Sequence, residues 1–166
     1  PGLVLLDEPF SNLDVDTRAR LAAEVRGILK AAGTTALLVT HDQAEAFAMA
    51  DRIGVMDEGR LLQWADAPTL YRQPADRVVA GFVGRGAVVP AAALGLDGGD
   101  VLVRPHQLRL DGEGPIAATV AACSFLGPGY VAHVRLADGS LVEADLPAGP
   151  VPAVGESVRL ALADAP

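Results

Sequence analysis

Two acidic residues and a histidine follow two apolar segments of the chain. Asp7 and Glu8 come directly after the apolar run Leu3–Leu6. His41 comes directly after Thr35–Thr40, which is also mostly aliphatic and β-branched. One carboxylate can hold a hydrated magnesium ion, a second can orient and activate water, and an imidazole can contact a phosphate. Together these side chains could perform phosphoryl transfer, whereas either feature alone is more often only a polar strand end or a turn cap.

The segments around these residues alternate between predicted strands and helices. Asp14 is placed to cap a helix whose apolar residues follow helical spacing, and Gly33 is placed to end it. Asp42 and Glu45 have the spacing of a capping box before the helix Gln43–Ala50. A strand–helix–strand unit has parallel strands and a right-handed crossover, and ligands gather at the carboxyl ends of such strands. The acidic pair and the histidine are therefore expected to face one crevice.

A predicted hairpin and two short helices complete the first half of the chain. Arg52–Met56 and Arg60–Gln63 flank the turn sequence Asp57-Glu58-Gly59, which is typical of a β-hairpin. The helices are expected at about Pro68–Arg72 and Asp76–Val83.

The composition changes near Gly84, and we predict a second, all-β domain beyond it. Residues 84–166 hold twelve of the 18 glycines and eight of the 12 prolines. Short β-rich runs separated by turn signals predict a small closed barrel or sandwich. These runs are Val101–Arg104, Ala117–Phe125, Tyr130–Leu136, Leu141–Leu146 and Ser157–Ala163. The predicted domains are therefore residues 1–84 and 85–166.

Composition and charge argue against several classes of protein. Hydrophobic residues make up 51% of the chain, which allows a packed core and argues against disorder. The net charge of −8 argues against a broad electrostatic contact with nucleic acid or an anionic membrane. The single cysteine, Cys123, cannot form an internal disulfide, and its apolar neighbours predict a buried small side chain rather than a nucleophile.

Two other groups of possible metal ligands carry less weight. Asp14-Val15-Asp16 has the beginning of a calcium loop, but Arg18 and Ala19 stand where an oxygen ligand and a glycine are needed. His106 and His133 could share a metal ion, although isolated histidines on strands are more often structural. We therefore expect no structural metal site.

In their order and spacing, residues 2–84 resemble ATP-binding cassette (ABC) ATPases. Leu3–Asp14 is similar to the Walker B strand and D-loop of that family. Thr35–Ala46 is similar to its switch strand and H-loop, and Ala50–Leu61 to the segment that follows in importer subunits. The second half resembles the TOBE domain that importer ATPases append, with Val103-Arg104-Pro105 at the expected place.

The resemblance implies a role for each polar residue of the first half. Asp7 would help to hold Mg2+ through water, and Glu8 would polarise the attacking water as the general base. His41 would contact the γ-phosphate of ATP and couple it to the base. The D-loop would cross a dimer to the phosphate loop of the partner subunit. Its residues are Ser11, Asn12, Leu13 and Asp14.

The same resemblance implies the fold and the setting. The fold would be α/β, a partial P-loop NTPase-type parallel sheet with helices, followed by a small all-β, OB-like barrel that is the TOBE domain. The chain would be part of the ATP-hydrolysing subunit that energises an importer, peripheral to the cytoplasmic face of the membrane and dependent on ATP and Mg2+. Its partners would be a second ATPase subunit in a homodimer, the membrane-spanning permease subunits and, indirectly, a periplasmic binding protein, with no nucleic acid.

The transported substrate is indicated only by a short segment. Phe82–Gly86, followed by Val88–Ala91, resembles ferric-ion importer subunits, whereas sugar and polyamine importers share most of the rest. An alternative from another class is a non-catalytic regulatory module whose β domain senses a ligand. An ABC ATPase of DNA maintenance is disfavoured by the TOBE-like half.

Two motifs of the ABC family do not occur within the 166 residues. A phosphate-cradling loop needs Gly-Lys followed by Ser or Thr, and the single lysine, Lys30, has no such neighbours. The signature Leu-Ser-Gly-Gly-Gln does not occur either. We therefore expect the chain by itself to be inactive as an ATPase and its sheet to expose an unpaired edge beside Thr35–Thr40. The apolar residues expected to lack cover are Leu37, Val39, Ile53 and Val55.

Overall fold

Residues 2–146 and 148–163 are described in the computed structural model of the chain. The chain divides into two compact units between Val83 and Gly84. Across these described ranges, no helix combines the length and the apolar character needed to cross a membrane.

The first unit begins with the predicted strand–helix–strand arrangement. Strands β1 (Leu3–Asp7) and β2 (Thr35–Val39) pair in parallel, and helix α1 (Val15–Ala31) connects them. The Asp14 carboxylate accepts a hydrogen bond of 2.9 Å from the backbone N–H of Thr17. The predicted N-cap is therefore confirmed, and α1 begins where a side chain replaces a missing helical hydrogen bond.

The two faces of the β1–β2 sheet differ in their cover. Leu6 and Leu38 pack against a cluster built around Phe10, Ala22 and Met49. On the opposite face, the side chains are between 50 and 67% exposed. This confirms the prediction that Leu37 and Val39 lack cover. The exposed side chains are Leu3, Leu5, Leu37 and Val39.

The remaining elements of the first unit form a hairpin and three short helices. The hairpin pairs β3 (Ile53–Asp57) with β4 (Arg60–Ala65) through the two-residue turn Glu58-Gly59. Both turn residues have positive φ, +45° and +75°, as in turns that match the twist of a hairpin. The short helices are α2 (Gln43–Met49), α3 (Ala67–Arg72) and α4 (Arg77–Phe82).

The prediction that Ile53 and Val55 lack cover is wrong. Val55 is 5% exposed and lies in a cluster with Leu70 and Val79, against which Ile53 packs. Because α3 and α4 follow the hairpin directly and supply these apolar residues, the hairpin face is covered by its own sequence neighbours.

The second unit contains a nearly closed antiparallel barrel. Its five strands are ordered β10-β9-β8-β11-β7, and the end strands β10 and β7 come into contact. The strands of this unit, in chain order, are β5 (Ala87–Pro90), β6 (Asp100–Val103), β7 (Leu108–Leu110), β8 (Ile116–Phe125), β9 (Tyr130–Leu136), β10 (Leu141–Leu146) and β11 (Ser157–Leu162).

The barrel core consists of alternate residues of these strands. Fully buried side chains point inward from each strand of the barrel, as the alternation of a half-buried strand requires. They include Leu108, Val120, Val134, Val142 and Leu160. The five β-rich runs predicted from the sequence are confirmed within one residue at each end, whereas the short strands β5 and β7 were not predicted.

Candidate functional site

Glu8 and His41 meet at the carboxyl ends of β1 and β2. The backbone N–H of Glu8 donates a hydrogen bond of 2.8 Å to the carbonyl of Val39, so the ladder extends one residue past β1. The Nδ1 atom of His41 lies 2.6 Å from Oε2 of Glu8. Glu8 adopts φ +46°, a left-handed conformation that is costly for a residue with a side chain. Glu8 thus has an unusual backbone conformation at the point where its carboxylate contacts the imidazole.

The Glu8–His41 pair is open to solvent, and its charges are coupled. The His41 side chain is 75% exposed and that of Glu8 39%. The hydrogen bond from His41 to Glu8 and the negative charge of Glu8 raise the pKa of His41, and Asp42 and Glu45 add to the effect. The imidazole therefore donates through Nδ1 to the carboxylate. In the protonated imidazole, Nε2 is then available to donate to a ligand, and Oε1 of Glu8 remains available to accept from water.

Asp7 lies next to this pair and presents an exposed carboxylate. Within residues 2–146 and 148–163, this carboxylate takes part in no hydrogen bond or ion pair. Mg2+ in proteins prefers one or two carboxylates, completing its shell with waters and phosphate oxygens. An uncommitted carboxylate at the end of a strand fits such an ion. In the same described ranges, no three His, Cys, Asp or Glu side chains gather to hold a metal by themselves.

Residues 11–14 form a turn between β1 and α1, and the apolar side chains of Phe10 and Leu13 pack into the cluster on one face of the sheet. Phe10 is 6% exposed, and its carbonyl accepts a hydrogen bond of 3.1 Å from the N–H of Leu13. Ser11 and Asn12 are exposed, whereas Leu13 packs against the cluster under the sheet. The carboxylate of Asp14 is committed to capping α1, and hydrogen bonds from the first helical turn lower its pKa. Ser11 and Asn12 are thus the residues of this turn that can reach another molecule.

A partly buried ionic network joins this turn to the residues after His41. Arg18 forms an ion pair with Asp42, and its Nη2 donates to the carbonyl of Leu13 at 3.0 Å. Glu45 is only 3% exposed, and its Oε2 accepts from the hydroxyl of Thr40 at 2.6 Å. The sequence pattern assigned Glu45 to a capping box and missed its role in this network. The available signal was an acidic residue on the buried face of a short helix.

The pKa of Asp42 reflects its place in this network. A hydrogen bond from the backbone N–H of Glu45 lowers the pKa of the Asp42 carboxyl, and the guanidinium of Arg18 lowers it further. Asp42 therefore remains ionised while it caps α2.

Comparison with known proteins identifies the two halves of the chain. Residues 101–165 match the TOBE domain family. The chain is 39% identical over 180 residues to the Fe(3+) ions import ATP-binding protein of Streptomyces avermitilis, an alignment that covers 97% of this chain and 52% of the relative. The chain is therefore similar to the carboxyl-terminal part of the ATP-binding subunits of ABC importers, and its second half carries the TOBE match.

Other members of this importer family match over similar ranges. The spermidine/putrescine import ATP-binding protein of Rubrobacter xylanophilus is 37% identical over 169 residues, covering 84% of this chain and 45% of the relative. A second spermidine/putrescine import ATP-binding protein, from Pseudomonas aeruginosa, is 34% identical over 194 residues, covering 98% of this chain and 52% of the relative. The chain thus spans about half the length of the importer subunits that it matches, and it corresponds to their carboxyl-terminal part.

In the unit that carries the TOBE match, one arginine of the described residues is buried. Arg104 is 3% exposed, and its Nη1 donates to the carbonyls of Gly84 and Arg85 at 2.8 and 2.9 Å. The Arg-Pro pair noted in the sequence therefore fixes the chain at the beginning of the unit. Cys123 is half-buried, and its thiol donates to the carbonyl of Pro152 at 3.6 Å.

Proposed function

We propose that this chain supplies the water-activating residues of the ATP-hydrolysing site in an ABC importer subunit. The observation that carries the proposal is the 2.6 Å contact between the Glu8 carboxylate and the His41 imidazole. The two residues come from different strands and meet where ligands bind parallel sheets. A carboxylate held by a histidine, with a second carboxylate adjacent, matches the needs of phosphoryl transfer, which depends mainly on positioning and charge stabilisation.

In this proposal, the side-chain atoms of Glu8 and His41 that do not bind each other contact the attacking water and the γ-phosphate. Oε1 of Glu8 accepts a hydrogen bond from the attacking water and orients it toward the phosphorus. Nε2 of the protonated His41 donates to a γ-phosphate oxygen, where negative charge is held during transfer. Because Nδ1 of His41 is bonded to Glu8, the imidazole and the carboxylate keep a fixed relation to each other.

In this proposal, Asp7 is the residue that binds the metal ion. Its exposed carboxylate would bind Mg2+ through water. Mg2+ bound there would supply positive charge to offset the negative charge of the ATP phosphates.

The surroundings of the site fit an assembly of two such subunits. The exposed residues Ser11 and Asn12 would contact the phosphate loop of a second ATPase subunit in a homodimer, as the Walker B and D-loop resemblance implies. The subunit would lie at the cytoplasmic face of the membrane, bound to the membrane-spanning permease subunits. A periplasmic binding protein would deliver the cargo to the permease.

Ferric ion is the cargo that we propose. The relative from Streptomyces avermitilis carries the Fe(3+) import name, whereas two relatives of lower identity carry the spermidine/putrescine name. Uptake measured in cells with the corresponding gene deleted separates these cargoes. Loss of ferric-ion uptake with normal spermidine uptake is expected, and the reverse pattern would assign the polyamine cargo instead.

The proposed site is tested by turnover of the intact subunit, meaning the polypeptide at the full length of its relatives. Glu8→Gln and His41→Ala are each expected to slow ATP hydrolysis at least about a hundredfold, and the double variant to be little slower than either single variant. Glu24→Gln, which changes an exposed carboxylate on α1, serves as the control and should turn over normally. Wild-type turnover in either site variant would refute the assigned role of that residue.

A further inference from the structure

We infer that Arg18 is a positioning residue that joins the 11–14 turn to the segment 40–45, so that both sides of the Glu8–His41 pair are held as one unit. The inference rests on the proposed function, because it assigns Arg18 a role in that reaction. Arg18 itself is not expected to touch the nucleotide.

The guanidinium of Arg18 contacts three groups at once. One Nη atom is bonded to the Asp42 carboxylate, and the other donates to the Leu13 carbonyl at 3.0 Å. Its Nε lies 3.5 Å from Oε1 of Glu45. The side chain is 23% exposed, so most of it is removed from water. A planar fork of donors can satisfy two acceptors in fixed directions, which a single ammonium group cannot do.

The two residues of segment 40–45 that Arg18 contacts, Asp42 and Glu45, both follow His41, and both are bonded to Thr40, which precedes it. The N–H of Asp42 donates to the hydroxyl of Thr40 at 3.0 Å, and the N–H of Glu45 donates to Oδ1 of Asp42 at 3.1 Å. The Thr40 hydroxyl in turn donates to the buried Glu45 carboxylate. These bonds fix the backbone before and after His41, and the ion pair with Arg18 anchors them to α1.

The target in the 11–14 turn leads back to Glu8. The carbonyl of Leu13 binds Arg18, and the N–H of Leu13 donates to the carbonyl of Phe10. The N–H of Ser11 donates to the carbonyl of Glu8 at 3.3 Å. Arg18 therefore lies at the junction between the two loops that present Glu8 and His41.

A neighbouring arginine provides a matched control. Arg20 also lies on α1, and it pairs with Glu24 one turn later at 3.0 Å. Both of those side chains are more than half exposed, and such pairs contribute little. An effect of Arg18 that Arg20 does not share thus reports the network rather than loss of a positive charge on α1.

Amide hydrogen exchange on the 166-residue chain tests the connection without nucleotide. In Arg18→Gln, the amides of Leu13 and Glu45 should both exchange about tenfold faster than in the wild type, because the charge-assisted bonds to both segments are lost. Arg18→Lys keeps a cation for Asp42 but has a single nitrogen in place of the two Nη atoms that bind Asp42 and Leu13, so we expect the bond to Leu13 to be lost. It should therefore accelerate Leu13 about tenfold and leave Glu45 within about twofold. Arg20→Gln should change neither amide.

Two exchange results would overturn the inference. One is unchanged exchange of Leu13 in both Arg18 variants, and the other is an equal effect from Arg20→Gln. If Arg18→Gln does not fold, Arg18→Lys decides the question alone through the difference between the two amides.

Turnover of the intact subunit tests the positioning role itself. Arg18→Lys is expected to lower kcat about tenfold and to leave KM for ATP within about twofold, because the residue orients the site without touching the nucleotide. A purely structural role would lower the amount of folded protein and leave kcat per folded subunit unchanged, and that result would overturn the inference. Normal turnover of His41→Ala would refute the proposed function instead, and the exchange measurement would still decide whether Arg18 joins the two segments.

Discussion

Replacing Glu45 with alanine should destabilise the first unit by an amount that the structure defines. The Glu45 carboxylate is 3% exposed and accepts a hydrogen bond of 2.6 Å from Thr40. Loss of such a charge-assisted bond costs about 1.5–3 kcal/mol. The 3.5 Å contact with the partly exposed Arg18 adds less than about 1 kcal/mol, because solvent screens it and Arg18 keeps Asp42 as a partner. We therefore expect Glu45→Ala to lower the free energy of unfolding by about 2–3 kcal/mol.

Urea unfolding followed by far-ultraviolet circular dichroism measures this change. The four α-helices of the described residues all lie before Gly84, so the helical signal reports the first unit. With a urea dependence of about 1 kcal/mol per molar for a unit of this size, the midpoint should fall by about 2–3 M. Glu24→Ala removes an exposed carboxylate from α1 and should shift the free energy of unfolding by less than about 0.5 kcal/mol. Equal midpoint shifts in Glu45→Ala and Glu24→Ala would refute the reasoning.

Three further outcomes follow from individual contacts. An NMR titration should give His41 a pKa above its ordinary value of 6.5, and Glu8→Gln should lower that pKa, so a pKa unaffected by Glu8→Gln would contradict the pairing. The Glu8–His41 pair stabilises the fold fully below pH 6.5, and this contribution is lost as the pH rises through the raised pKa of His41. Gly114→Ala would place a Cβ 2.4 Å from the carbonyl oxygen of Leu160 and should destabilise the barrel by about 1–3 kcal/mol, seen as faster amide exchange in β8 and β11. Calorimetry of the 166-residue chain should show no micromolar Mg-ATP binding, because its residues include no phosphate-cradling Gly-Lys-Ser/Thr loop.

Much of the fold could be predicted because its signals are local. Asp14 and Asp42 each precede a helix and accept from its first turn, as the capping pattern indicated. The meeting of Glu8 and His41 followed from a general property of parallel strands, whose carboxyl ends share one edge. The four longer barrel strands, β8 to β11, were predicted because each has enough alternating residues between turn signals to define it.

The features that were missed depend on contacts between segments. Val55 is buried by residues of α3 and α4, and nothing within β3 itself shows that those helices pack on it. The three-residue strand Leu108–Leu110 is too short for alternation to mark it, and pairing with β11 creates it. Arg18 and Glu45 are far apart in sequence, so their ion pair becomes visible only when α1 and α2 are in place. Capping spacing had already given Glu45 a different, local role.

In the proposed site, Glu8 activates the water that hydrolyses ATP, and His41 holds Glu8 and contacts the γ-phosphate. The most direct test of this claim measures Mg-ATP binding and single-turnover hydrolysis side by side on the intact subunit carrying Glu8→Gln. An amide keeps the size of the side chain but cannot accept the proton from water, so we predict binding within about threefold of wild type and hydrolysis slowed at least about a hundredfold. Hydrolysis at the wild-type rate with normal binding would contradict the claim.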